Sequence, residues 1–289
     1  MRLSKSPNTR RAYRSALDAF NAWLDGREAN DAAIADYLGH LEALKRSYSS
    51  ANTLAAALRA AARGLGLPEP VGPLSKAALA GFRRKAAGRG RGQSAPLTAE
   101  AVDAIHATAC QPRKRGRGME TAATARRRGM VDRAIAGLLF HSGLRRSEAA
   151  ALTWSAVSEA PSAANVLLIT VGTSKPNPDG RRADVRLVKG DCAAAIRALR
   201  TEGTAPSDSV LGGISAATVG RRIAAAAKAA GVKGRITSHS GRIGLATELT
   251  RRGASLQEVM LAGNWSTARM VAHYCAGARA ERGAVAKYL

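Results

Sequence analysis

The feature that most limits how this chain can fold is a short glycine-rich segment about one third of the way along it. The sequence GRGRGQSAP occupies residues 88–96 and separates two long stretches whose apolar residues have helical spacing. Glycine disfavours helix, and Pro96 ends any helix that enters from the N-terminal side. We therefore expect a first domain at residues 1–88, a basic linker at residues 89–96 and a second domain at residues 97–289.

The first domain has the apolar spacing of four helices and no alternating segment. The first helix is predicted from Ser6, which has the sequence context of an N-cap, and from apolar residues at helical intervals up to Leu24. The other three are expected from an Asn30–Asp31 cap to Leu44, over Ser49–Arg63 with a stop at Gly64, and over Leu74–Ala87.

In the second domain, one region has the apolar pattern of β-strands, whereas the rest has helical spacing. Val166–Val171 is apolar and β-branched, Ala183–Val188 alternates, and a turn-like SKPNPDGR lies between them. This pattern predicts a β-hairpin. The basic residues 112–129 are expected to form a loop with short helical pieces. Helices are predicted at 98–109, 131–142, 147–154, 191–199, 216–230, 240–252, 256–261, 267–275 and 278–288. The fold class is mainly α with a small antiparallel β-sheet.

The charge balance favours a polyanionic partner. The chain has 45 Lys and Arg against 21 Asp and Glu, a formal net charge of +24. Nucleic acid is the simplest partner for such an excess. The alternative is a high-GC genome, which supplies Arg and Ala freely.

The cysteines and the lack of long apolar segments indicate where in the cell the protein is expected. Cys110, Cys192 and Cys275 are far apart and have no disulfide or zinc spacing. No apolar run approaches the roughly 20 residues of a membrane helix, and the N-terminus has no apolar signal segment. We expect a cytoplasmic, nucleoid-associated protein with no metal and no cofactor.

Four short segments of the second domain carry side chains suited to chemistry on a phosphodiester. They read HSGLRRSEAAAL, GTSKPNPDGRR, SHSGR and AGNWSTARMVAHY. The candidate residues are Arg145, Glu148, Lys175, His239, Arg242, Trp265 and Tyr274. Two of the segments place a pair three residues apart, which puts both members on one face of a helix. A helix break after Trp265 is expected, because nine residues of unbroken helix would place Trp265 and Tyr274 on opposite sides.

In this order and at these spacings, the four segments resemble the catalytic motifs of the tyrosine recombinase (phage integrase) family. The stretch HSGRIGLATELTRRGASLQEVMLAGNWSTARMVAHY is most similar to the Cre-like members, with which it shares a tryptophan where most integrases carry a histidine. SPNTRRAYRSALDAFNAWL resembles the first helix of the family's core-binding domain.

The resemblance covers nearly the whole chain. It implies a helical core-binding domain and a tyrosine-recombinase catalytic domain with a C-terminal exchange helix.

The resemblance also implies roles for the candidate residues. Tyr274 is expected to attack the phosphodiester and form a 3′-phosphotyrosyl link. Arg145 and Arg242 match the positions that hold the two non-bridging oxygens, a task suited to a charged guanidinium fork. His239 would act as a general base or as a hydrogen-bond donor to the phosphate.

Three further residues complete the set that the resemblance implies. Glu148 would orient the site's arginine or histidine. Lys175 would protonate the departing 5′ oxygen, with Lys189 on the other side of the hairpin as the alternative. Trp265 would pack against the site and donate its indole N–H to a phosphate oxygen.

The expected partners are double-stranded DNA with an inverted-repeat target site and further copies of the chain, forming a tetramer on DNA. The helices at 49–63 and 216–230 are expected to lie in major grooves. The candidate DNA contacts are Arg83, Arg84, Arg89, Arg91, Arg146, Arg221 and Arg222. Two alternatives to a recombinase remain open at this point: a type IB topoisomerase, which uses the same residue types, and a DNA-binding protein without catalytic activity.

Overall fold

A computed structural model describes residues 5–172 and 184–281. The chain divides into two compact units, Met1–Gln93 and Ser94–Leu289. The described residues are mostly helical and include a small three-stranded antiparallel sheet, so the expected fold class is confirmed. The hairpin turn with Lys175 lies outside the described residues, as does the C-terminal segment 282–289. Across the described ranges, no helix is both long and apolar enough to cross a membrane.

The first unit consists of four helices, as its sequence predicted. They are α1 (Pro7–Leu24), α2 (Asp31–Ala43), α3 (Tyr48–Leu65) and α4 (Pro73–Lys85). The predicted caps are present, since Ser6 Oγ accepts from the Thr9 N–H and Asn30 Oδ1 accepts from the Ala33 N–H. The predicted stop at Gly64 is wrong. The helix α3 continues to Gly66, whose φ of 69° is the left-handed conformation that glycine adopts at a helix C-terminus.

The second unit contains the remaining elements. Its helices are α5 (Ala99–Thr108), α6 (Ala122–Phe140), α7 (Arg146–Ala151), α8 (Gly190–Arg197), α9 (Ala216–Ala229), α10 (Ser240–Arg251), α11 (Leu256–Ala262), α12 (Ala268–Tyr274) and α13 (Ala276–Glu281). Its strands are β1 (Lys114–Arg115), β2 (Gly118–Met119), β3 (Val157–Glu159), β4 (Val166–Thr170) and β5 (Val185–Lys189).

The three-stranded sheet has the order β3-β4-β5, with both neighbouring pairs antiparallel. The pairing of β4 with β5 matches the predicted hairpin, while β3 was not predicted. One face of the sheet belongs to the core of the second unit, where Leu167, Ile169 and Val188 are buried with the middle of α6. The same core includes Leu144 and Ala149, which flank Arg145 and Glu148, whereas Trp265 and Tyr274 belong to a second cluster with Leu245, Val259 and Val271.

The expectation of a loop at residues 112–129 is wrong. The strands β1 and β2 form a tight hairpin, and α6 begins at Ala122 with Thr121 as its cap. The basic residues here are held by Asp132, whose side chain is 1% exposed. Asp132 pairs with Arg113 at 3.1 Å and with Arg128 at 3.2 Å. The Asp132 carboxylate thus joins Arg128, four residues earlier, to Arg113, 19 residues earlier, within ordered structure.

Candidate active site

Two helix N-termini in the second unit carry four of the candidate residues in the same arrangement. Arg145 is the N-cap of α7, and Glu148 stands three residues later. His239 is the N-cap of α10, and Arg242 again stands three residues later. Each pair thus lies on the first turn of its helix, as the three-residue spacing predicted.

Glu148 holds Arg145 in two ways. One carboxylate oxygen accepts from the Arg145 backbone N–H at 2.7 Å, and the other accepts from Nη1 of its guanidinium at 2.7 Å. The first of these bonds satisfies a helix-terminal donor, and the second fixes the direction of a long side chain. Glu148 is therefore placed to orient an arginine.

Arg242 is the most buried cation of the site, with only 1% of the residue exposed. Its Nη1 donates to the carbonyl oxygen of Gly143 at 2.6 Å, and its Cζ lies 4.5 Å from the ring centre of Trp265. Its Nη2 is buried and has no hydrogen-bond partner among the described residues. Burial, together with repulsion from Arg145 and Arg186, lowers the pKa of Arg242 to about 10, so the guanidinium stays charged at neutral pH.

Gly143 is required where it stands. Its φ is 55°, a left-handed conformation that other residues adopt with strain, and an added Cβ would lie 2.8 Å from Cδ2 of Leu245. This conformation places the Gly143 carbonyl where the guanidinium of Arg242 reaches it.

Tyr274 and His239 are in direct contact. The His239 Nε2 lies 2.8 Å from the Tyr274 hydroxyl oxygen. Burial raises the pKa of Tyr274, an effect that Arg242 and Arg145 partly offset. Burial also lowers the pKa of His239, and the same two arginines lower it further. A neutral imidazole therefore faces a neutral phenol, which is the pairing that proton transfer from tyrosine to histidine requires.

Trp265 lies between α11 and α12, so the predicted helix break is present. Because the chain turns there, the rings of Trp265 and Tyr274 come to 6.3 Å of one another. The indole Nε1 is buried and has no hydrogen-bond partner in the described part of the chain. The site thus contains two buried donors, on Arg242 and Trp265, that no described protein group satisfies.

Sequence reasoning missed Arg186 and Asp184, which are buried beside the site. Both oxygens of Asp184 accept from Arg186, at 2.8 and 2.6 Å, and Asn264 donates to Asp184 at 2.7 Å. The alternating sequence of β5 shows that Arg186 lies on the opposite face of the strand from Val185 and Leu187. In the structure Val185 and Leu187 are exposed and Arg186 is buried. Only the packed structure reveals which face is buried.

Of the two candidate lysines, the structure describes only Lys189. Lys175 falls in the segment outside the described residues. Lys189 ends β5 with an exposed side chain, and its backbone N–H donates to His141 Nδ1 at 3.4 Å. Within residues 5–172 and 184–281, no group of three or more His, Cys, Asp or Glu side chains could hold a metal ion.

The candidate DNA-contacting arginines fall into two groups. Those with exposed side chains are Arg83, Arg84, Arg91, Arg146 and Arg221. Arg89 instead pairs with Glu42 at 2.8 Å within the first unit. Arg222 pairs with Asp132 at 2.8 Å and donates to the Arg128 carbonyl at 2.6 Å within the second unit.

The sequence model of the phage integrase family matches residues 116–281, which include every described candidate catalytic residue. The chain belongs to the phage integrase family. It is a site-specific tyrosine recombinase, one of the enzymes that cleave and rejoin DNA. Residues 2–65 match the family's N-terminal SAM-like domain. No curated protein sequence matches the chain.

Solved structures of recombinases share the fold at low sequence identity. The XerH site-specific recombinase bound to its palindromic difH substrate is 14% identical, with a TM-score of 0.68 over 96% of this chain and 79% of that one. A lambda integrase dimer bound to a core site is 17% identical, with a TM-score of 0.62 over 94% of this chain and 90% of that one. The Tn1549 transposon integrase in complex with transposon right-end DNA is 14% identical, with a TM-score of 0.62 over 97% and 95%.

Proposed function

We propose that this recombinase cleaves double-stranded DNA with Tyr274 as the nucleophile and leaves a 3′-phosphotyrosyl link. The observation that carries the proposal is the contact between His239 Nε2 and the Tyr274 hydroxyl, beside an Arg242 nitrogen without a protein partner. A phenol with a raised pKa needs a base to become a nucleophile, and His239 is within hydrogen-bonding distance of it.

The proposed reaction is an in-line displacement at phosphorus. The Tyr274 oxygen forms the new P–O bond as its proton passes to His239, and the bond from phosphorus to the 5′ oxygen breaks. Arg145 and Arg242 stabilise the charge on the non-bridging oxygens. The departing 5′ oxygen takes a proton from Lys175. The number of phosphoester bonds is unchanged, so the reverse reaction rejoins strands without a nucleotide or a metal.

The two unsatisfied donors agree with this arrangement. A buried donor without a partner costs about 1–3 kcal/mol, and Arg242 Nη2 and Trp265 Nε1 are both of this kind among the described residues. A phosphate oxygen at this position would satisfy them. The indole of Trp265 also supports Arg242 through its ring face.

The proposed DNA partner is a duplex with an inverted-repeat site, bound by a tetramer of the Cre-like kind. The exposed arginines of α4 and α9 supply phosphate or base contacts, whereas Arg89 and Arg222 act within their own units. A protein with this substrate would be found with the nucleoid in the cytoplasm.

The proposed exchange segment is the C-terminal segment 278–289, which would contact a neighbouring copy. Its described part belongs to α13, which packs on α10 of its own unit, where Ala278 is buried and Arg251 pairs with Glu281. Removing the residues after Gly277 would weaken cooperative filling of a second half-site and leave binding of a single half-site nearly intact.

The experiment that tests the function uses supercoiled plasmid with and without two copies of a site that the protein selects from random-sequence DNA. A recombinase excises or inverts the segment between two such sites. Relaxation without exchange would indicate a type IB topoisomerase activity. Binding without any covalent adduct would indicate a DNA-binding protein only and would contradict the proposal.

A further inference from the structure

Arg186 is a buried cation that the proposed mechanism does not use. Only 4% of the residue is exposed. A buried charge is costly unless it is paired and hydrogen-bonded, and every nitrogen of this guanidinium is engaged. Nε and Nη2 donate to the two oxygens of Asp184, and Nη1 donates to the carbonyls of Ser142 and Gly143 at 3.1 and 3.2 Å. These four hydrogen bonds and its burial direct Arg186 at protein groups rather than at a substrate.

The groups that contact Arg186 also contact or adjoin the candidate catalytic arginines. Ser142 and Gly143 form the loop that leads directly into Arg145. The Gly143 carbonyl also accepts from Arg242, so two guanidinium groups share one oxygen. Nη1 of Arg186 also lies 3.8 Å from the carboxylate of Glu148, which holds Arg145.

The other end of the contact chain reaches Trp265. Asp184 accepts from the side chain of Asn264, the residue immediately before Trp265. Asn264 has a φ of 48°, so its backbone turns sharply at the point where the tryptophan enters the site. Asp184 and Arg186 together connect β5 to both the 142–145 loop and the 263–265 turn.

We propose that Arg186 is a positioning residue, which holds the Gly143 carbonyl and the Asn264 turn so that Arg242 and Trp265 are aligned for the phosphate. This inference rests on the proposed function of the site. The two carboxylates nearest the arginines hold Arg186 and Arg145, and Arg242 has no carboxylate hydrogen-bonded to it among the described residues.

The first test replaces Arg186 with methionine, which keeps an unbranched side chain and removes the guanidinium. The probe is a nicked duplex with the site selected by the protein, and cleavage is measured at saturating DNA. Misplacement of a catalytic group by about 1 Å costs about 100-fold in rate, so a loss of roughly that size is expected. The Kd for the duplex should stay within about threefold, because Arg186 is buried and bound to protein oxygens.

A spectroscopic measurement reports on alignment without DNA. The protein has three tryptophans, so labelling with 5-fluorotryptophan gives three ¹⁹F resonances. In Arg186→Met the Trp265 resonance should shift, because Arg242 lies against its ring. The resonances of Trp23 and Trp154 should stay in place and report an intact fold in each unit.

The matched control is Arg197→Met, which breaks another bidentate arginine–carboxylate pair of the same unit. Arg197 pairs with Glu159 at the surface and contacts none of the site residues in the described structure. Its cleavage rate and its Trp265 resonance should match those of the parent protein.

A second variant decides the matter if Arg186→Met fails to fold. Asp184→Asn keeps the volume but replaces one acceptor oxygen with a donor, so the fork of Arg186 and the bond from Asn264 cannot both be kept. Cleavage should fall at least about tenfold, with a shifted Trp265 resonance. Cleavage within threefold of the parent in a folded variant would overturn the inference, as would a large loss with an unmoved Trp265 resonance. The parent protein on the same duplex tests the proposed function separately, since failure there is failure to cleave at all.

Discussion

The Nε2 atom of His239 lies 2.8 Å from the hydroxyl oxygen of Tyr274. The helix α10, whose N-cap is His239, and the helix α12, which ends at Tyr274, pack against each other in the second unit. The distance is that of a hydrogen bond, so the proposed roles of base and nucleophile can be tested one residue at a time.

Tyr274→Phe should bind DNA as the parent protein does and form no covalent adduct. The change removes only the hydroxyl oxygen, so the ring can keep its contacts with His239 and Trp265. The adduct is measured on a denaturing gel with end-labelled DNA. An adduct that survives this substitution would assign the nucleophile to another tyrosine.

The cleavage rate should fall on the acid side with a midpoint below pH 6.5. A base must be unprotonated, and the pKa of His239 lies below its ordinary 6.5 because of burial and of Arg242 and Arg145. In His239→Gln the rate should be lower and this acid limb should disappear. His273→Gln is the matched control, since His273 is exposed and adjacent to Tyr274 in sequence. An unchanged acid limb in His239→Gln would show that another group titrates.

Lys175→Ala should cleave ordinary DNA very slowly and cleave DNA with a sulfur at the scissile 5′ position at close to the parent rate. An alkoxide needs a proton to depart. A thiolate does not, because the pKa of its thiol is only ~8.5, as in cysteine. Arg145→Ala should not be rescued to the same degree, because it acts on the non-bridging oxygens. The same assay on Lys189→Ala tests the other lysine of the hairpin, and rescue there instead would reassign the acid.

Arg221 and Arg222 are neighbours with opposite expected phenotypes. Arg221→Ala should weaken DNA binding and reduce the salt slope by about 1 if it contacts a phosphate, because its side chain is exposed on α9. Arg222→Ala should leave that slope unchanged and lower the free energy of unfolding by about 1–3 kcal/mol, since it is bound to Asp132. Salt-dependent binding and denaturant unfolding of both variants measure the difference. The reverse pattern would contradict the assignment.

The sequence was sufficient wherever the information is local. Ser6 and Asn30 cap their helices where predicted, and the three-residue spacing of His239 and Arg242 placed both on one helical turn. Spacing alone also predicted the helix break that lets Trp265 and Tyr274 meet.

The failures share a different cause, which is partners distant in sequence. Residues 112–129 looked like a solvated basic loop because Asp132 and Glu120 could not be matched to Arg113 and Arg128 without the fold. Arg186 was missed for the same reason, since its carbonyl partners Ser142 and Gly143 lie 44 and 43 residues earlier in the chain. Periodicity gives the two faces of a strand but not the choice between them.

The shared acceptor at Gly143 limits what a mutational scan can reveal about this site. The atom that receives both Arg242 and Arg186 belongs to the backbone, so no side-chain replacement removes it. Gly143→Ala would report a clash with Leu245 and a strained φ, and its phenotype would be mistaken for a loss of catalytic chemistry. Semisynthesis offers the direct route: an ester in place of the amide between Gly143 and Leu144 weakens the carbonyl as an acceptor and leaves every side chain in place.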